Sequence, residues 1–543
     1  MVNEAISLLW PDEGAGAVIS RRLNEETVLN LDLESLCMSI AGKKDRSSVI
    51  MEVLTSLCSD EEVIRYRQEV FRDILASEKL RKLLQDILNR FEGLSMLTKE
   101  ASIPEEANLW KYFSRFKELD GFVKCIVDTK RDLQGLPLNS RGLRNFRDTV
   151  VRASEDPDFL ALQATLSNLS IEIDEIQSIT LGINLDTSLN PIEATLVSVN
   201  KTRFKENSWL MNMFASKNLD VSDMGFMSRL HGLSQDRRHP VMHHLYRDIE
   251  SLLKPVVKDM TAGLRKFSYM HGGFLLKLIP EITFYLSFAQ LYAQMSAAGM
   301  SMCIPEAAGI GERLFQVKGT YNINHALQLI SQQKSPSDEI VLNDVNFDEN
   351  GRILILTGPN RGGKTVYTEA VGLIQVLMQA GVAVPGTCAR MSPADGVYTH
   401  FPADENKTVE LGRLGEEARR FSCIFSEATK YSLVLLNESF ASTSYTEGLY
   451  IAQDIVRSLR YLEARALFNT HMHELAACAD EINQQVAGDS KVLSIVTGME
   501  GGKRSYRIEP GPPLGKSYAR EIAVSHGICF EQIAAIVDSR KGK

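Results

Sequence analysis

The strongest chemical signal in the chain is the run Gly358-Pro359-Asn360-Arg361-Gly362-Gly363-Lys364-Thr365, which fits the phosphate-binding spacing G-x-x-x-x-G-K-[ST]. Glycines let the backbone curl until its N–H groups point at an anion, and a helix that follows adds the positive end of its dipole. Lys364 is spaced to reach β- and γ-phosphates, and the Thr365 hydroxyl to ligate Mg2+. Farther on, Leu433-Val434-Leu435-Leu436-Asn437-Glu438 reads as an apolar strand ending in the second half of such a site. An Asp usually stands first there to hold Mg2+, with a Glu after it to polarise water. Asn437 offers an amide oxygen that can accept from a metal-bound water but lacks the charge; Glu438 is the candidate general base. Thr470-His471 follow the next strand, at the edge where phosphates sit, which makes His471 a candidate γ-phosphate sensor. His471-x-His473-Glu474 has no further ligand cluster in sequence, so no metal site is expected from it.

Such groups need a scaffold. After Gly309 short apolar strands alternate with helices: strand 353–357, helix 365–380, strand 433–436, helix 446–461, strand 466–469. That alternation, with nearly continuous apolar strands, implies an α/β domain whose parallel sheet is covered on both faces. Before it the chain reads mainly as helix, with apolar residues at three- and four-residue intervals over 63–75 and 80–94 and again over 248–300. Helical character lapses over 178–199, where alternation around an Asn190-Pro191 turn suggests a small β element. The boundary between the two grammars is expected near 305–335.

Composition narrows the class. The 543 residues, 44% hydrophobic and 24% charged, are those of an ordinary globular protein with several domains. No apolar run approaches the roughly 18 residues of a membrane span, and the N-terminus lacks a secretory pattern. The 8 cysteines are scattered without a CxxC pair, which argues against a zinc or disulfide framework and for a reducing compartment. The expectation is a cytoplasmic protein with no membrane partner. A net charge of −9 argues against a surface coated throughout for nucleic acid, but residues 201–266 hold 12 basic against 7 acidic side chains.

Taken together, the stretches TGPNRGGKT (357–365), YSLVLLNESFASTS (431–444), LFNTHMHEL (467–475) and YRIEPGPPLGKSY (506–518) resemble the MutS-like ATPases, in the ABC class of P-loop proteins. They follow that family's order and spacing over most of 340–543, and DEEVIRYRQEVFRDIL (60–75) resembles its helical core. The resemblance implies a P-loop ATPase domain at 311–543, preceded by a helical core and lever (1–174), a small β-containing clamp (175–250) and returning lever helices (251–310). It implies ATP and Mg2+ as cofactors and a homodimer with composite sites. Gly358 to Thr365 would cradle phosphate, Glu438 would activate water, His471 would act as switch histidine and Asn343 would lie near adenine. Gly412-Arg413, where the family commonly has a Ser-Thr pair, would open the helix that reaches the partner's γ-phosphate. Ser442, Thr443 and Ser444 would lie in the loop facing the partner.

The same resemblance implies double-stranded or branched DNA held in the clamp, with Lys201, Arg203, Lys205, Arg237 and Arg238 supplying charge for phosphates. The helical core is expected to begin within the first few dozen residues, leaving no room for a mismatch-sensing domain with its Phe-x-Glu wedge. Phe116-Lys117-Glu118 has those letters within a helical pattern, and no nuclease module is expected after the ATPase. The function implied is an ATP-dependent, clamp-closing DNA-binding ATPase of repair or recombination. Asn437, Gly412 and the acidic balance support a rival: a slowly hydrolysing, nucleotide-gated scaffold for a protein partner.

Overall fold

The computed structural model describes residues 6–11, 20–42, 44–101, 109–174, 177–203, 266–267, 270, 272–359, 362–402, 412–441, 443–500, 503–513, 524 and 526–541. The chain folds as two compact units, one of Met1–Glu4, Asn89–Gly135 and Arg147–Leu276, the other of Ala5–Leu88, Leu136–Phe146 and Lys277–Lys543.

The first unit is built on long helices. Leu109–Leu133 and Pro157–Asp174 bury Leu119, Phe122, Ile126, Phe159 and Leu162, and Phe122 meets Phe159 edge-on at 5.9 Å. Phe116 and Glu118 are both buried within the first of these helices, Glu118 paired with Arg115, so their spacing serves helix packing. The expected β excursion is an antiparallel ribbon of Ser178–Leu185 and Pro191–Asn200. Its turn is closed by Asp186, whose Oδ1 accepts from the N–H groups of Ser188 and Asn190, both at 2.8 Å.

In the second unit, α1 (Glu61–Ala76) begins where Asp60 caps the N–H groups of Glu62 and Val63. It packs on α2 (Leu278–Ala297), where Phe284, Tyr285 and Phe288 are buried and Tyr285 stacks on Phe71. The stretch Gly273–Ala297 is long and apolar enough to cross a membrane by length and composition. It differs from the expectation of no apolar stretch near that length, because Lys277 and Glu281 break its apolar run. Arg67 of α1 is fully buried, stacked over Trp10, and donates to the carbonyls of Leu9 and Gln379 at 3.0 Å. Glu281 of α2 accepts from Ser7 Oγ at 2.6 Å. The bond from Arg67 to Gln379 joins early chain to the helix that follows the phosphate loop, and the unit holding that loop includes chain from well before 311.

Its main sheet has six strands. In chain order they are β3 (Ile353–Thr357), β4 (Val397–His400), β5 (Leu433–Asn437), β6 (Arg465–Asn469), β7 (Val492–Glu500) and β8 (Lys503–Pro510), following β1 (Phe315–Thr320) and β2 (Asn343–Phe347) of a smaller sheet. The order across the main sheet is β4-β5-β6-β3-β7-β8, parallel except for β8. The apolar strands read from sequence lie at its centre and are buried throughout. Helices α3 (Lys364–Gln379), α4 (Gly412–Glu427) and α5 (Tyr445–Leu462) connect them. Register aligns Leu356, Asn437 and Asn469 at one end of three adjacent strands, and that end carries the site.

Candidate functional site

The loop after β3 is shaped by backbone that only glycine takes easily. Gly358 has φ +147° and Gly363, which starts α3, has φ +83°. A Cβ on Gly358 would overlap the Thr497 hydroxyl of β7, and one on Gly362 would lie 2.9 Å from the Pro359 carbonyl. Asn360 and Arg361 lie outside the described residues. Lys364 is buried, and its Nζ donates to the carbonyls of Gly358 at 3.1 Å and Pro359 at 3.2 Å. Burial pushes its pKa below the ordinary lysine value, opposed by the charge of Glu438. A buried ammonium resting on carbonyls, in a loop with no room for a side chain at Gly358 or Gly362, fits a bound phosphate.

At the end of β5, the Thr365 hydroxyl donates to Asn437 Oδ1 at 3.2 Å, and Asn469 Nδ2 donates to the same oxygen. Two donors on one atom fix the orientation of the Asn437 amide, with its oxygen toward Thr365. The Thr365 proton is thereby directed away from its lone pairs, which suits a hydroxyl that ligates Mg2+.

Glu438 follows in the left-handed region, φ +49°, with its N–H donating to Asn469 O at 2.8 Å. His471 Nε2 lies 2.8 Å from Glu438 Oε1; an ionised carboxylate only accepts, so Nε2 carries the proton. The hydrogen bond from His471 holds the Glu438 carboxyl below the usual carboxylate range, against the effect of burial. The expected γ-phosphate sensor therefore stands bonded to the candidate base. Among the described residues no group of three His, Cys, Asp or Glu could hold a metal, and the His473 pKa is pushed down by burial.

Lys364, Thr365, Gly363 and Glu438 line a pocket of about 520 Å³ together with Val341, Asn343 and Tyr506. The amide of Asn343 is engaged on both sides, accepting from Ile508 N at 2.8 Å and donating to Tyr506 O at 3.1 Å. It ties β2 to β8 and shapes the wall. Tyr321 lines the pocket without any motif to announce it, whereas Tyr506, also in the lining, is the first residue of the 506–518 stretch.

Gly412 and Arg413 open α4. Thr443 and Ser444 both donate to Glu447, at 3.1 and 2.8 Å, at the start of α5; Ser442 lies outside the described residues. In the other unit, Lys201 and Arg203 are exposed just past the ribbon, Arg203 donating to Gln177 at 3.1 Å. Lys205, Arg237 and Arg238 lie outside the described residues.

Two family descriptions and several known proteins match the chain. Residues 354–535 match the MutS domain V family and residues 59–298 match the MutS2 N-terminal domain. The chain is 24% identical over 497 residues to a DNA mismatch repair protein MutS of Prochlorococcus marinus, covering 83% of this chain and 52% of that one. It is 25% identical over 466 residues to the Clostridium perfringens protein of the same name, covering 81% and 50%. With the Chlorobium phaeobacteroides protein of that name it shares 35% identity over 217 residues, 40% and 24% of the two chains. The chain spans about half the length of the curated relatives it matches over most of its own. Its fold is mixed helix and sheet around a P-loop, and with both family matches and these relatives the chain belongs to the MutS-like family.

Proposed function

We propose that the protein is a dimeric, ATP-dependent DNA-binding ATPase, acting in the cytoplasm, that couples nucleotide binding to closure on duplex or branched DNA. One observation carries the reading: at one end of the parallel strands Thr365 is bonded to Asn437 and His471 to Glu438, beside Lys364 resting on the loop carbonyls. The loop backbone and Lys364 would hold the β- and γ-phosphates of ATP. Thr365 and Asn437, the latter through water, would hold Mg2+, which supplies charge to the phosphates. Glu438 takes a proton from the attacking water, with His471 orienting its carboxylate.

In this reading 1–174 and 251–310 form the core and lever, 175–250 the clamp and 311–543 the ATPase domain. Gly412, Arg413, Ser442, Thr443 and Ser444 face the partner subunit's nucleotide, and Asn343 borders the base. Lys201, Arg203, Lys205, Arg237 and Arg238 meet DNA phosphates, giving affinity without sequence preference.

The test is binding of the purified chain to linear, branched and mismatched duplexes across a salt series, with and without ATP. A phosphate-binding clamp should lose affinity steeply as salt rises, and its affinity should depend on nucleotide. The preferred duplex would then identify the pathway. One observation favours the scaffold reading: the ribbon Ser178–Asn200 contains two acidic residues, Asp186 and Glu193, and no Lys or Arg. ATP binding without affinity for any DNA would move the assignment to a nucleotide-gated scaffold for a protein partner.

A further inference from the structure

The two residues after Glu438 are held more firmly than a surface loop requires. Ser439 Oγ lies 2.8 Å from His400 Nδ1 at the end of β4. Phe440 is 1% exposed and sits at φ +63°, a conformation that a residue with a Cβ adopts only when its surroundings enforce it. Its ring stacks on Phe421 at 4.9 Å with the planes 19° apart, and Phe421 packs on the His400 ring at 4.2 Å. Its backbone N–H donates to Glu417 Oε2 at 2.7 Å, a charge-assisted bond. Glu417 and Phe421 are four residues apart, on one face of α4. That face thus holds Phe440 by ring and by backbone together, two residues from the candidate base.

We propose that Phe440, held by Glu417 and Phe421, is a positioning residue that makes the work of Glu438 depend on where helix α4 sits. Glu438 and Phe440 both occupy the left-handed region, so the carboxylate's direction is fixed by backbone that relaxes once the ring or the Glu417 bond is lost. A displacement of α4 then reaches Glu438 through one rigid contact. The inference rests on Glu438 being the base that activates water.

The test uses the full chain with Phe440→Gly, Phe421→Leu and Glu417→Gln, measuring kcat and KM for ATP, the affinity for a fluorescent ATP analogue, and Tm. Phe440→Gly also relieves the positive φ, so a purely structural role predicts little harm to turnover. The expected result is a fall in kcat of at least roughly tenfold in each variant, with analogue affinity within about threefold of wild type. The Phe421→Leu/Phe440→Gly double variant should lose no more kcat than the worse single one, because both break the same contact. Wild-type kcat in folded Phe421→Leu or Glu417→Gln would overturn the inference, and these milder variants decide if Phe440→Gly does not fold. Glu438→Gln is run alongside: if it retains turnover, the choice of base has failed and this inference falls with it. If it loses turnover while the other variants keep theirs, only the inference has failed.

Discussion

Asn437 Oδ1 accepts from both the Thr365 hydroxyl, at 3.2 Å, and the Asn469 amide. A carboxylate in the same place could accept the same two bonds and add the negative charge that Mg2+ favours. Asn437→Asp should therefore fold normally and hydrolyse ATP faster, by roughly tenfold if about 1.4 kcal/mol of the barrier reflects the missing charge. It should also reach half-maximal activity at lower Mg2+. Steady-state turnover against Mg2+ concentration checks both, and unchanged values would mean that the amide does not limit hydrolysis.

Glu438→Gln keeps the side chain's shape and a bond to His471 while removing the basic oxygen. Loss of a general base typically costs 10²–10⁴-fold. The expected outcome is turnover reduced by roughly that factor with ATP affinity preserved, since the phosphates are met by Lys364 and loop backbone. Turnover near wild type would assign the base elsewhere.

Gly358→Ala would place a methyl group onto the Thr497 hydroxyl at a backbone angle, φ +147°, that alanine resists. Overpacking of this kind costs about 1–3 kcal/mol. The variant should melt at lower temperature and bind ATP weakly. Thr497 Oγ1 is buried and has no hydrogen-bond partner among the described residues, so adding Thr497→Ala should return part of the lost stability. No recovery in the double variant would place the cost in the backbone angle and in the contacts with Thr497 Cβ and N, which Thr497→Ala leaves in place.

How far the sequence disclosed this site follows from what each residue does locally. Gly358, Lys364 and Thr365 are bound to a local turn whose spacing is visible in one dimension, and the apolar strands ending at Thr357, Asn437 and Asn469 disclosed the parallel sheet. β4 (Val397–His400) and the antiparallel β8 went unread because short or polar strands are chosen by their neighbours. The union of Arg67 with Leu9 and Gln379 brings together residues up to 312 positions apart, which no periodicity records. Phe440 was legible only as a letter within a motif; its stacking on Phe421 and its positive φ arise from tertiary packing. Asn343 was placed beside the base by resemblance, whereas its bonds to Tyr506 and Ile508 required the register of β2 and β8.

His400 provides a test of how the same loop responds to pH. Its ring is buried between Ser439 and Phe421, its Nε2 has no hydrogen-bond partner among the described residues, and burial pushes its pKa down from 6.5 to about 4. Above pH 6.5 the ring is neutral in both folded and unfolded chains, so it makes stability neither rise nor fall with pH. Below that value the unfolded chain takes up a proton that the folded one refuses until about pH 4, so stability falls as pH falls through this window. At 1.36 kcal/mol per unit, the loss between pH 7 and pH 5 attributable to this ring is about 2 kcal/mol. His400→Phe keeps an aromatic ring in the stack and removes the titration. It should be somewhat less stable at pH 7, because Ser439 loses its partner, yet lose about 2 kcal/mol less than wild type on going to pH 5. Urea unfolding of both proteins at the two pH values measures the difference. Equal losses would show that His400 is protonated in the folded chain or solvated there, and that the stack beneath Glu438 is looser than its geometry indicates.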